Sequence, residues 1–585
     1  MKQVSEAYKE SMAAPIRNRS HVRVIFDNFD TTIPSDGEWA SNGELGMSDF
    51  STVDFERVYT AKYATFEHNR WVLDGSFDIA PDEGAVTGFV SSVISNEYGD
   101  TITPAILTRS FTTPHTIPGL TLIFDTRTHE RPRNITVNFY LAGEMIKHEK
   151  ITVEGDFVSV LTDIEACDKI SIVFGTMPPY RFPRLEAVGY GIQKEFVNND
   201  IVSTRQAHDV DPLSRRAPKE TMQFTILDFA RQYDPDNPSG VWKYIAEKAK
   251  ASIQFGYEVN GNVEWVKPDS YVLDSRPTFS QNMATFNATG MTGRMSGTYY
   301  KSRLGEKNFY DMALDVLQDA GLPPRPDGSD PWEIDESLKT MKTTAALPID
   351  THANCLQLIA HACRCKLYTD DDNVIHIAPL VLSDLAPGDF LLDFTSITQN
   401  SQAASKIDRL KSVMISVYSY ASKVRETIYE GTTDDMQIHV EFSGPVADDA
   451  TISVEGGSVV SSQIYARAAD IVLTEGTKTI TISGRPLTEN AVVYTYPVDT
   501  AGSVNEEKNP LITSPEMAMA LANHVAAYLK LRNTYDVSYR GNPELECGDV
   551  IGLQTTYAQR LNGLVLTDEI TFNGSLKGKV KVKML

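Results

Sequence analysis

Cysteine is scarce in this chain. Five residues in 585 (Cys167, Cys355, Cys363, Cys365 and Cys547) are too few, and odd in number, for a disulfide framework. Folding in a reducing compartment is therefore expected. Positive charge is also short: 54 Lys and Arg stand against 78 Asp and Glu, a net charge of −24. Phosphate contacts need a basic face, so that balance excludes an ordinary nucleic-acid binder. It leaves open a wall that DNA merely passes, where repulsion prevents sticking. No apolar run approaches membrane-spanning length and no signal-peptide core opens the chain, so neither export nor a membrane segment is expected.

Catalytic signatures are missing as well. GSLKGK (574 to 579) has the wrong spacing for a phosphate loop, His148-Glu149 starts a zinc-protease motif that Thr152 does not complete, and there is no nucleophile elbow. Asp234, Asp236 and Asn237 in YDPDNPSG open like a calcium loop, but the glycine and glutamate of an EF-hand do not follow. No enzyme activity, cofactor, metal or catalytic residue is assigned.

What is present is mostly β pattern. Val4, Ala7, Tyr8, Ser11 and Met12 share one face of a short helix that Pro15 ends, and HVRVIFD (21 to 27) alternates as a strand. From about 71 to 192 short strands follow one another: LTLIFD, ITVNFY, then MIKHEKITV across an Ala142-Gly143 turn, then KISIVF. Such spacing reads as an antiparallel sandwich. A second β block, about 190 to 300, includes QFTILDF and a hairpin at Asn260-Gly261. Phe309, Met312, Ala313, Val316 and Leu317 then mark a helix closed by Gly321. Strands return over 385 to 500. The last segment has Ser514 as N-cap and Pro515 at N1 of a helix, then four strands with Asn-Gly turns.

The stretch HACRCKLYTDDDNVIHIAP (361 to 379) gathers two histidines, two cysteines and three aspartates. Leu356, Ile359, Ala360 and Cys363 are spaced as the buried face of a helix starting near Thr351. Cys365 and Leu367 alternate as a strand, Asp370 to Asp372 make a hairpin tip, and Val374 and His376 return. Zinc knuckles have other spacings, so the prediction is scaffold with buried cysteines. Trp39, Trp71 and Tyr180 are the aromatics that could stack on a sugar, and core or interface packing competes for each. No carbohydrate-binding residue is assigned.

VSEAYKESM, NRWVLDGSF, PHTIPGLTLIFD, the run from QAHDVDPLSRRAPKETMQFTILDF to YDPDNPSGVWKYI, SIQFGYEV, ACRCKLYTDDDNVIHIAP, LLDF, KSVMISVYSY, and RGNPELECGDVIGLQTTYAQRLNGLVLTDEITFNGSLKGKVKV together resemble phage tail-tip or baseplate hub proteins of Gram-positive hosts or phage-derived particles. The resemblance covers nearly the whole chain. It implies a mainly β protein with α+β parts: tube-like β-barrel domains, an inserted jelly-roll sandwich similar to carbohydrate-binding modules, and a small α/β middle domain. The implied divisions are 1–37, an N-terminal helix and first tube strand; 38–190, the sandwich; 191–300, a tube-like barrel; 301–384, the α/β domain; 385–500, a β-rich domain; and 501–585, a second tube-like domain. It also implies a homotrimer at the virion tail tip, assembled in the bacterial cytoplasm. Its partners would be tail tube and distal tail proteins, the tape measure, receptor-binding or tail-spike proteins and host-wall glycan. A receptor-binding adhesin is the alternative reading, and a cell-wall hydrolase a remote one. The C-terminal endopeptidase or lysin of many relatives is expected to be absent.

Overall fold

The computed structural model describes residues 1–29, 33–53, 63–71, 74, 87–125, 128–238, 240–245, 249–322, 325, 329–370, 373–386 and 388–585. The chain forms two compact units, one of Val24–Phe196 with Pro235–Ala251, the other of Met1–Arg23, Val197–Asp234 and Ser252–Leu585. Both are mainly β, with α+β parts in the larger.

In the smaller unit, one antiparallel sheet runs in the order Glu38–Ser41, Ile106–Ile123, Phe157–Phe174, Asn134–Leu141, Glu144–Thr152. Inward residues alternate as a half-buried sheet requires: Ile135, Val137 and Phe139 face Ile170, Ile172 and Phe174 in one core with Leu120, Leu122 and Phe124. Ala142 and Gly143 both take positive φ (52° and 84°), which fits the tight turn expected there. Ile33 and Val53 join this core from outside the sheet.

The larger unit is built on a long sheet. Its neighbours in order are Lys250–Val259, Asp269–Leu273, Met283–Thr289, Lys219–Leu227, Ile201–Asp209, Ala558–Phe572, Leu576–Met584, Asn533–Tyr539 and Ala403–Lys406. Strands from the 191–300 and 501–585 stretches meet where Thr204 to Asp209 pair antiparallel with Phe572 to Thr567. The Asn260-Gly261 hairpin forms as expected, both residues at positive φ (52° and 83°). Asn562-Gly563 does not turn. It lies inside Ala558–Phe572, and a Cβ on Gly563 would come within 2.5 Å of Met584 and Val582 side-chain atoms. The glycine serves close approach of the neighbouring strand, and the turn falls at Asn573-Gly574 instead.

Helices Phe309–Asp319, His352–Cys363 and Pro515–Leu529 share a core with Leu367, Ile375, Ile377 and Val413. Thr351 and Ser514 cap two of these helices through their hydroxyls; the sequence predicts the Ser514 cap and a helix start near Thr351. Two three-stranded sheets within 426–484 enclose a separate small core around Ile471, Ile480 and Ile482.

Candidate functional site

The cysteine–histidine stretch folds as a helix, a strand and a return strand. Cys363 ends the buried face of its helix, and Cys365 pairs opposite Pro379 in the hairpin. Burial pushes the Cys365 thiol up to about 12 and raises that of Cys363 well above its ordinary value, which favours the thiol form of both. The two histidines have separate carboxylate partners. His361 Nε2 lies 3.3 Å from Glu507, while His376 Nε2 lies 2.9 Å from Asp370 and its ring stacks on Tyr368 at 4.9 Å. Asp370 also accepts the Val374 amide at 2.9 Å, closing the hairpin; Asp371 and Asp372 lie outside the described residues. Among the described residues no group of three or more His, Cys, Asp and Glu side chains is arranged to hold a metal.

In the smaller unit, three loops converge over a buried ion cluster. Arg184 and Glu67 form a direct ion pair, both at 1% side-chain exposure or below, and Arg184 Nη1 lies 3.8 Å from Asp125. Burial opposes the charge on Glu67, but Arg184 and a 3.0 Å bond from the Phe182 amide outweigh it and hold the carboxyl below its usual range. Above this floor the Trp71 indole donates to Thr65 at 3.0 Å and to Glu67 at 3.3 Å. The Arg70 guanidinium sits 5.3 Å over the Trp71 ring and 3.4 Å from Glu130, which also pairs with Arg181. Arg181 donates to the carbonyls of His68 and Tyr180, both at 3.0 Å, and the His68 and Tyr180 rings meet edge to face at 5.2 Å.

Tyr180 is partly exposed and takes φ 59°, an uncommon conformation for a non-glycine residue that sets its ring against His68. Phe66 and Tyr98 are exposed on the neighbouring loops; Tyr98 belongs to the turn whose Asn96 carbonyl accepts the Tyr180 amide. Of the three aromatics picked from the sequence, Trp71 and Tyr180 therefore share one surface. Trp39 does not: it lies on Glu38–Ser41, opposite Arg109, whose guanidinium covers its ring at 5.2 Å. His68, Arg70, Arg181 and Glu130 carried no sequence signal, because the contacts joining them span up to 113 residues.

No family model matches this chain, and no curated protein matches it. Among solved structures it is similar to the tail protein from Neisseria meningitidis MC58, with 9% identity over 67% of this chain and 93% of that one and a TM-score of 0.37. It is similar also to the prophage MuSo2 43 kDa tail protein from Shewanella oneidensis, with 10% identity over 66% and 95% and a TM-score of 0.35. Chitosan-binding module 1 of a chitosanase/glucanase from Paenibacillus sp. IK-5 matches 28% of this chain and 97% of its own at 9% identity, with a TM-score of 0.18.

Proposed function

We propose that this protein is the structural hub of a phage or phage-derived tail tip, forming a trimeric ring that continues the tail tube and meets the host surface during genome delivery. What supports this reading is where the hub-like wording falls. QAHDVDPLSRRAPKETMQFTILDF takes in the last four residues of Ile201–Asp209 and all of Lys219–Leu227, and the terminal stretch takes in Ala558–Phe572 and most of Leu576–Met584; these four strands are consecutive neighbours in one sheet. Two tube-like units per subunit, taken three times, would match a six-fold tube. Tail-tube, distal-tail, tape-measure and receptor-binding proteins would be its neighbours.

An unpaired edge fits a subunit that is completed by assembly. Leu487–Pro497 pairs only with Leu410–Ser422 among the described residues and exposes Val492, Val493 and Tyr494. A long apolar edge of this kind invites another chain unless something covers it. Mass measurement of the full chain in solution, with a reconstruction of labelled tail tips, tests the reading. A trimer seated on the tube axis is expected; a lasting monomer that never enters particles would overturn it.

A second reading, compatible with the first, has the smaller unit bind host-wall glycan through the Tyr180, His68 and Trp71 surface. Its support is a partly exposed aromatic ring fixed above a rigid ion cluster, with Arg70 and Arg181 beside it. Binding at a shallow polar site of this kind is expected at millimolar to micromolar strength, multiplied by three copies. Tyr180→Ala should reduce retention on purified cell walls without altering melting. Equal retention would leave the unit a spacer.

A further inference from the structure

The N-terminal helix Glu6–Ala13 borders a cleft of about 710 Å³ in the larger unit, closed on its other sides by 389–396 and 539–544. That volume falls in the range of ligand sites, roughly 300–1,000 Å³. Two arginines line it, and they are held in an unusual way. Arg17 donates to the carbonyls of Met12 (2.8 Å), Arg540 (2.6 Å) and Gly541 (2.7 Å), and Arg540 donates to that of Ala14 (3.1 Å). Neither guanidinium has a carboxylate partner among the described residues. Burial and the Arg540 charge both push Arg17 below its ordinary value.

The cleft's other cations are already matched: Lys2 pairs with Asp269 at 2.5 Å, Lys9 with Glu6 at 2.9 Å and the Met1 ammonium with Asp549 at 2.6 Å. The acids in its lining are not directed at the arginines. Asp393 caps Thr395 and Ser396, and Glu544 accepts from Asn542 while burial raises its carboxyl. In a chain with 24 more acids than bases, an adjacent arginine pair without a carboxylate is a place where negative charge is still owed.

We propose that this cleft docks an extended acidic peptide segment of a partner protein, with a side-chain carboxylate of the segment bridging Arg17 and Arg540. Three features favour a peptide over a small anion. Leu391–Leu392 is a short strand that pairs only with Val550–Thr555 among the described residues, so its other edge is open to a backbone. Leu391 is exposed within the cleft, offering an apolar contact beside the charged one. The arginines are already oriented by backbone carbonyls, so little side-chain entropy is lost when a carboxylate arrives.

The test uses the full chain and pairs of capped heptapeptides of alternating valine and serine, carrying one or two central glutamates or the same number of glutamines. Glutamate peptides are expected to bind about tenfold more tightly than their glutamine twins, a difference of about 1.4 kcal/mol. Arg17→Gln and Arg540→Gln should abolish that preference. Since Arg17 also ties down backbone, Leu391→Trp serves as a variant that fills the cleft from an exposed position and leaves both arginines in place; it should weaken every peptide while melting is unchanged. No glutamate preference, or a preference surviving in all three variants, overturns the proposal. Inorganic phosphate binding as tightly as the glutamate peptides would also overturn it, in favour of a small-anion site. None of these outcomes depends on trimer formation, so the hub reading can fail separately.

Discussion

His361 and Glu507 meet across the helical core with Nε2 and a carboxylate oxygen 3.3 Å apart, both side chains buried, and Asn509 holds the other ring nitrogen at 3.0 Å. Burial alone would raise the Glu507 carboxyl, but His361 and Asn505 outweigh it and hold it below its ordinary value. A depressed carboxyl adds stability that is full above the unfolded value, near 4.3, and is lost as pH falls through the folded one. Glu507→Gln should therefore flatten the acid limb of a stability–pH profile below about pH 4.5. Glu507→Ala should cost about 1–3 kcal/mol at neutral pH, because it removes the carboxylate that the buried His361 Nε2 faces. Urea melts across pH 3 to 7, as approximate limits, would check both.

Cys363 and Cys365 give a second expectation. Both thiols are buried, and no group of three or more ligands is arranged around them among the described residues, so protein purified without added metal should carry zinc well below one atom per chain. Cys363→Ser should cost about 1–3 kcal/mol, the price of a hydroxyl in an apolar site, and should not change metal content. Elemental analysis beside a melting curve decides; stoichiometric zinc lost together with stability in the variant would be the contrary result.

In the smaller unit, Arg184 pairs with buried Glu67 and lies 3.8 Å from buried Asp125. Arg184→Met should destabilise by about 3–5 kcal/mol, since buried Glu67 loses the guanidinium paired with it. Adding Glu67→Gln to it should recover part of the loss, which a simple packing defect would not allow. A fragment meant to fold alone must begin before Ile33, whose side chain sits in the sandwich core, and should melt cooperatively.

Much of the local structure was legible because period and punctuation agree. Ser514 caps its helix, another helix starts beside Thr351, Ala142-Gly143 and Asn260-Gly261 turn, and the switch from helical to alternating spacing at Cys363 to Cys365 marks the hairpin. Asn562-Gly563 shows the limit. The same dipeptide sits flat in a strand because Gly563 makes room for Met584 and Val582, and no local rule separates that use of glycine from a turn. The candidate surfaces were less legible for a related reason. Tyr180 and Trp71 could be picked as aromatics, but their shared surface depends on Arg70, Arg181 and Glu130. Arg17 and Arg540 come together across 523 residues, with nothing in either neighbourhood to announce the other.

Asp568 carries the last expectation, with a sign opposite to that of Glu507. It lies buried in Ala558–Phe572, and its carboxyl accepts a hydrogen bond from the Tyr539 hydroxyl at 3.3 Å, long for such a contact. Burial, more than any neighbour, raises its carboxyl well above the ordinary value; Lys2 works against that rise and Asp269 adds to it. A raised carboxyl costs the folded state nothing below its unfolded value, near 3.9, and a growing penalty as pH climbs from there towards the folded one. Asp568→Asn keeps the shape and removes the ionisation. It should leave stability nearly unchanged at about pH 4 and increase it on the order of 1–2 kcal/mol at neutral to alkaline pH. Asp269 provides the control. Its carboxyl is held low, chiefly by Lys2 against burial, so Asp269→Asn should destabilise at neutral pH and lose its effect in acid. Denaturant melts of the two variants at acid and alkaline pH would show effects of opposite sign at high pH. A loss of stability in both would mean that Asp568 is needed as an anion, with Lys2 and not burial governing its charge.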